Sequence, residues 1–64
     1  MKIVLNGDEC EVSADTVAAA LDELGYAGTF ATALNGRFVP QGLRGDTPLS
    51  PQDRLEVIAP MQGG

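Results

Sequence analysis

Histidine and tryptophan are absent from this 64-residue chain, and cysteine and lysine each occur once, as Cys10 and Lys2. Each absence excludes something. One cysteine cannot form an internal disulfide, and without histidine no Cys/His zinc site is available, so the fold must rest on apolar packing alone. There is no histidine for general-base work and no GxxxxGK loop to hold a triphosphate, which leaves the chain without the means to catalyse phosphoryl or acyl chemistry by itself. Aromatic bulk is limited to Tyr26, Phe30 and Phe38, so alanine and the branched aliphatics carry the core. No run of about 20 apolar residues is long enough to cross a bilayer, and the start "MKIVLNGDEC" lacks the apolar segment of a secretory signal; a cytoplasmic location is expected. Basic residues are scarce too: four against nine acidic ones give a net charge of −5. That charge repels phosphate backbones and anionic membranes, so neither nucleic acid nor membrane is expected as a partner. It serves solubility first, and it also suits a protein partner with a basic docking face.

What is present is short, alternating and well punctuated. "KIVL" reads as a strand, Asn6-Gly7 as a hairpin turn in which both residues tolerate positive φ, and "ECEV" as the returning strand, with Cys10 and Val12 opposite in face to Glu9 and Glu11. "SADTVAAALDELG" places Val17, Ala20, Leu21 and Leu24 on one helical face, with Asp15 or Thr16 to cap the start and Gly25 to follow the end. "FATALNGRFVP" repeats the hairpin pattern: a strand from Phe30 to Leu34, an Asn35-Gly36 turn and a short edge strand stopped by Pro40. From Gln41 to Gln52 two glycines and two prolines predict a loop with one helical turn around Leu49. "DRLEVIA" is the last strand. It sets Leu55, Val57 and Ala59 on one face and Glu56 and Ile58 on the other, before Pro60 ends regular pairing.

The order strand, strand, helix, strand, short strand, loop, strand, tail resembles the β-grasp, ubiquitin-like fold over the whole chain, and most closely the sulfur carrier proteins of thiamine biosynthesis. The residues that carry the resemblance are "LNG" at Leu5 to Gly7, "TVAAALDELG" from Thr16, "ALNGRFVP" from Ala33 and "DRLEVIAPMQGG" from Asp53. One departure is Gln41, where family members often place a basic residue after the Val-Pro pair. The resemblance implies an α+β fold: a mixed sheet of four to five strands, one main helix across one face, and a flexible Gly-Gly tail, divided as a domain over 1–59 and a tail over 60–64. The first and last strands would then lie parallel at the centre of the sheet. With Ile3, Leu5, Leu55 and Val57 toward the helix, Val4, Ile58 and Ala33 fall on the open face as a candidate partner-binding patch.

The tail carries the chemistry that the resemblance implies. Gly64 would be adenylated through its carboxylate and then converted to a thiocarboxylate, with Gly63, Gln62 and Met61 giving the end its reach. Extended, Pro60 to Gly64 spans roughly 17 Å, and glycines keep its tip thin. The chain is expected to be a carrier rather than an enzyme, to bind no cofactor or metal, and to be a monomer when free. The implied partners are an E1-like adenylating enzyme using ATP and Mg²⁺, a sulfurtransferase or cysteine desulfurase as sulfur source, and thiazole synthase as acceptor. Two rival readings share the fold and tail: the small subunit of molybdopterin synthase, and a ubiquitin-like protein modifier. A plain interaction domain with an incidental tail is a third. Cys10 reads as an ordinary inward thiol, and "RGD" at Arg44 to Asp46 as a chance triplet with no adhesive role.

Overall fold

The computed structural model of the chain describes residues 1–59; the tail residues Pro60, Met61, Gln62, Gly63 and Gly64 lie outside the described residues. Strands β1 (Lys2–Leu5) and β2 (Asp8–Glu11) form the first hairpin, followed by helix α1 (Val17–Glu23). Strands β3 (Ala31–Leu34) and β4 (Arg37–Val39) form the second hairpin, a 3₁₀ helix covers Gln41–Asp46, and β5 (Arg54–Ile58) closes the sequence of elements. The sheet has five strands in the order β2-β1-β5-β3-β4. Only the central β1–β5 pair is parallel. This is the mixed β-grasp sheet expected from the sequence.

Local chemistry accounts for each hairpin and for the helix. Asn6 and Gly7 have φ of 48° and 89°, and Asn35 and Gly36 have φ of 52° and 83°. Two consecutive left-handed residues give the turn twist that matches paired strands, and Asn-Gly is the dipeptide that adopts it at least cost. Thr16 caps α1 by accepting a hydrogen bond from the Ala19 amide at 3.2 Å, which decides between the two expected caps. Gly25, with φ of 84°, follows the helix end. Val17, Ala20 and Leu21 bury the helical stripe against Ile3, Val12, Leu49 and Leu55. Cys10 is half-buried against this core, in keeping with its inward position.

Between β4 and β5 the structure departs from expectation. The helical turn lies at Gln41–Asp46, while Leu49 is buried in extended chain, its amide bonded to the Asp15 carbonyl at 2.8 Å. The prolines explain the displacement. Pro48 and Pro51 lack N–H donors, and Pro51 pushes Ser50 away from helical angles. Pro40 has a φ of −61° and its carbonyl accepts from Leu43, so it opens the 3₁₀ turn instead.

That turn places Arg44 inside the protein at 9% exposure. Its Nε donates to Thr32 Oγ1 at 3.0 Å and its Nη2 to the Phe30 carbonyl at 2.7 Å. The guanidinium carbon sits 4.5 Å from the centre of the Phe30 ring. Thr32, itself 1% exposed, donates onward to the Val39 carbonyl at 2.8 Å. The arginine of the RGD triplet is therefore largely buried, where a planar fork can satisfy two acceptors and stack on a ring at once.

The two Asn-Gly turns also clamp β5. Asn35 Oδ1 accepts from the Arg54 amide at 2.9 Å near the strand's start. Asn6 Oδ1 accepts from the Val57 amide at 2.9 Å, extending the parallel ladder one step past the end of β1. Asn6→Ala removes this acceptor and places a less tolerant residue at positive φ, so it is expected to cost about 1–2 kcal/mol. Hydrogen exchange at the Val57 amide should accelerate with it, and Asn6→Asp, which keeps the acceptor, should lose less. Unaltered exchange at Val57 in Asn6→Ala would show that the side chain does not hold the strand.

Candidate functional site at the end of the last strand

β5 runs through the centre of the sheet and ends at Ile58, one residue before Ala59, the last described residue. Alternation along β5 buries Leu55 completely and leaves Glu56 and Ile58 on the open face, with Ile58 62% exposed. In the antiparallel pairing with β3, Ile58 lies opposite Ala31, and Ala33 lies opposite both Glu56 and Phe38. Phe38 is 69% exposed.

The register decides which of the expected patch residues come together. Val4 is half-buried and sits opposite Arg54 in the parallel pair. Arg54 and Ile58 are four residues apart on β5, so Val4 and Ile58 are separated by about 13 Å along the sheet, with Glu56 between them. Ile58 and Ala33 share the β3 side of the face, and Val4 does not join them. Phe38, not singled out from the sequence, occupies the same side. Its signal was present: in "RFVP" the inward Val39 forces its neighbour Phe38 outward by the two-residue period.

Beside Ile58 a shallow apolar groove of about 390 Å³ is lined by Phe30, Ala31, Phe38, Gln41, Ile58 and the edge of Arg44. A larger hollow of about 650 Å³ lies toward the other end of β5, bordered by Val4, Asn35, Arg54 and Glu56. It is more open to polar groups and contains no nucleophile. Among the described residues no three Asp, Glu or Cys side chains gather into a metal-binding group. No helix there is long and apolar enough to cross a membrane. Met61, Gln62, Gly63 and Gly64, the expected reactive end, lie outside the described residues.

Comparison with known proteins agrees with this geometry. No curated protein matches the chain in sequence. Among solved structures, the thiamine biosynthesis protein ThiS from Geobacter metallireducens is similar over 100% of both chains, with a TM-score of 0.84 and 26% sequence identity. The ThiS family model matches residues 3–64, a span that includes the terminal glycines and all of the strands but Lys2. Of the readings open from the sequence, the match selects the thiamine branch over molybdopterin synthase and protein modification. The chain belongs to the ThiS family, the sulfur carriers of thiamine biosynthesis.

Proposed function

We propose that Gly64 is the sulfur-bearing residue and that the chain works by delivering it into the active sites of other proteins. ThiS family proteins are carriers rather than enzymes and bind no cofactor of their own. The observation that carries the proposal is that the central strand β5, the last element before the tail in sequence, ends at Ile58 beside an exposed apolar face. A partner that covers this face receives the end of the chain in a defined direction. Met61, Gln62 and Gly63 would then thread a narrow cleft, since glycine lets a partner's backbone close around the terminal carboxylate.

The chemistry follows from the weakness of a carboxylate as an electrophile. An E1-like adenylating partner with ATP and Mg²⁺ would join the Gly64 carboxylate to the α-phosphate and release pyrophosphate, leaving an acyl adenylate. The terminal sulfur of a persulfide, supplied by a sulfurtransferase or cysteine desulfurase, would displace AMP. A second thiol would then attack the donor-side sulfur of the resulting acyl disulfide, releasing the thiocarboxylate and leaving a disulfide between the two thiol sulfurs. Thiazole synthase would consume this group. In this reading the chain works in the cytoplasm as a free monomer that meets each partner in turn. Intact mass tests the reading: with its activating partner, ATP and a sulfur donor, the chain is expected to gain the difference between one sulfur and one oxygen atom. No gain under conditions that load another carrier would refute it.

The proposed docking surface is the open face around Ile58 and Ala33, with the exposed Phe38 on the same side and Val4 at its far margin. Ile58→Asp is expected to weaken the complex with the activating partner by a few kcal/mol, the range of a buried interface anchor. The free domain should remain folded, because the side chain is already 62% exposed. Equal affinity of the two proteins by calorimetry would remove Ile58 from the interface.

A further inference from the structure

We infer that the groove beside Ile58 is built to receive a carboxylate side chain of the docking partner, with Arg44 as its recognition group. The inference rests on the reading that this face docks a partner, and it specifies what that partner presents. The Arg44 side chain is more than nine-tenths buried, yet among the described residues it faces no carboxylate. The ion pair found there joins the N-terminal ammonium to Glu11 on the opposite edge of the sheet. The acceptors that Arg44 has are neutral, the Thr32 hydroxyl and the Phe30 carbonyl. They engage Nε and Nη2. Nη1 has no acceptor among the described residues, and no buried side-chain nitrogen there is left unsatisfied, so Nη1 meets the surface. Arg44 is itself one of the residues that line the apolar groove.

A guanidinium already held by two hydrogen bonds and a ring face is fixed in orientation, so little further entropy is lost when it binds. Apolar walls from Phe30, Ala31, Phe38 and Ile58 reduce screening around it. Such a site favours a carboxylate carried next to an apolar group, because charge-assisted bonds to arginine exceed neutral ones and the walls reward the apolar part. The complementarity is local and opposite in sign to the chain's net charge of −5. An acidic side chain of the partner is thus admitted at one point on an otherwise acidic protein.

The test uses the full chain and a matched pair of probes, phenylacetate and its neutral isostere phenylacetamide, followed by NMR. Phenylacetate is expected to shift the Arg44 Nε–H signal and the amides of Ala31 and Ile58 saturably, and phenylacetamide to bind at least about tenfold more weakly. Ile58→Ser, a surface change, should weaken both probes, whereas Arg44→Lys, where it folds, should erase the difference between them. Equal binding of the two probes, or no saturable shift with either, overturns the proposal whether or not Gly64 carries sulfur. If conversion of the chain's own Gly64 carboxylate to an amide moves the Arg44 signal with no probe added, the occupant is the chain's own terminus and the assignment to a partner falls.

Discussion

Leu55→Asp is expected to leave the chain unfolded under conditions in which wild type is native. Leu55 is 0% exposed, paired with Leu5 on one side and Leu34 on the other, in the strand that every half of the sheet depends on. Removing a buried leucine side chain costs about 2–5 kcal/mol in lost burial and cavity formation. Burying an unpaired carboxylate in its place adds several kcal/mol more, and no cation among the described residues is inside the core to meet it except Arg44, which already serves Thr32 and Phe30. Native stability per residue implies only about 3–10 kcal/mol in total for a domain of this length. The loss therefore exceeds what the domain has. Far-UV circular dichroism and urea titration check the result. A cooperative transition within about 1 kcal/mol of wild type would mean that the core is not organised around β5.

Deletion of Gly64 is expected to abolish sulfur loading while leaving stability within about 0.5 kcal/mol of wild type, the range of changes remote from core and caps. β5 ends at Ile58, six positions earlier, so the described sheet and its hydrogen bonds do not involve the last residue. The shortened chain still ends in a glycine carboxylate, but that carboxylate falls about 3.3–3.6 Å short of the position reached by the full chain. Misplacement of reacting groups by even 1 Å can cost about 100-fold in rate, so a whole residue suffices to prevent adenylation. Intact mass after incubation with the activating partner, together with a urea titration, separates the two effects. Loading of the shortened chain at the wild-type rate would show that reach is not what the terminal glycine provides.

Much of the fold was legible because its signals are local. Asn6-Gly7 and Asn35-Gly36 specify their turns through the φ values they tolerate, and those two turns set two antiparallel registers without help from the rest of the chain. Thr16 and Gly25 bound the helix by capping chemistry confined to a few residues. The stretch from Gln41 to Gln52 was legible as irregular but not in its detail. Whether Pro40 or the pair Pro48 and Pro51 would govern the single turn depended on where Leu49 found a pocket, between α1 and β5.

The sequence by itself determined the order and kind of the elements, the two hairpins, and the inward and outward sides of β5. Each depends on neighbours within about four positions, where dihedral limits and side-chain period act directly. Only the tertiary structure decided that Val4 lies apart from Ile58, that Phe38 joins Ala33 beside it, that Asn6 reaches across 51 positions to hold Val57, and that Arg44 lines the groove while largely buried. These are matters of register between strands distant in sequence and of one cation finding neutral acceptors. Such contacts form when the whole core closes, because no local preference of the residues involved distinguishes them from their alternatives.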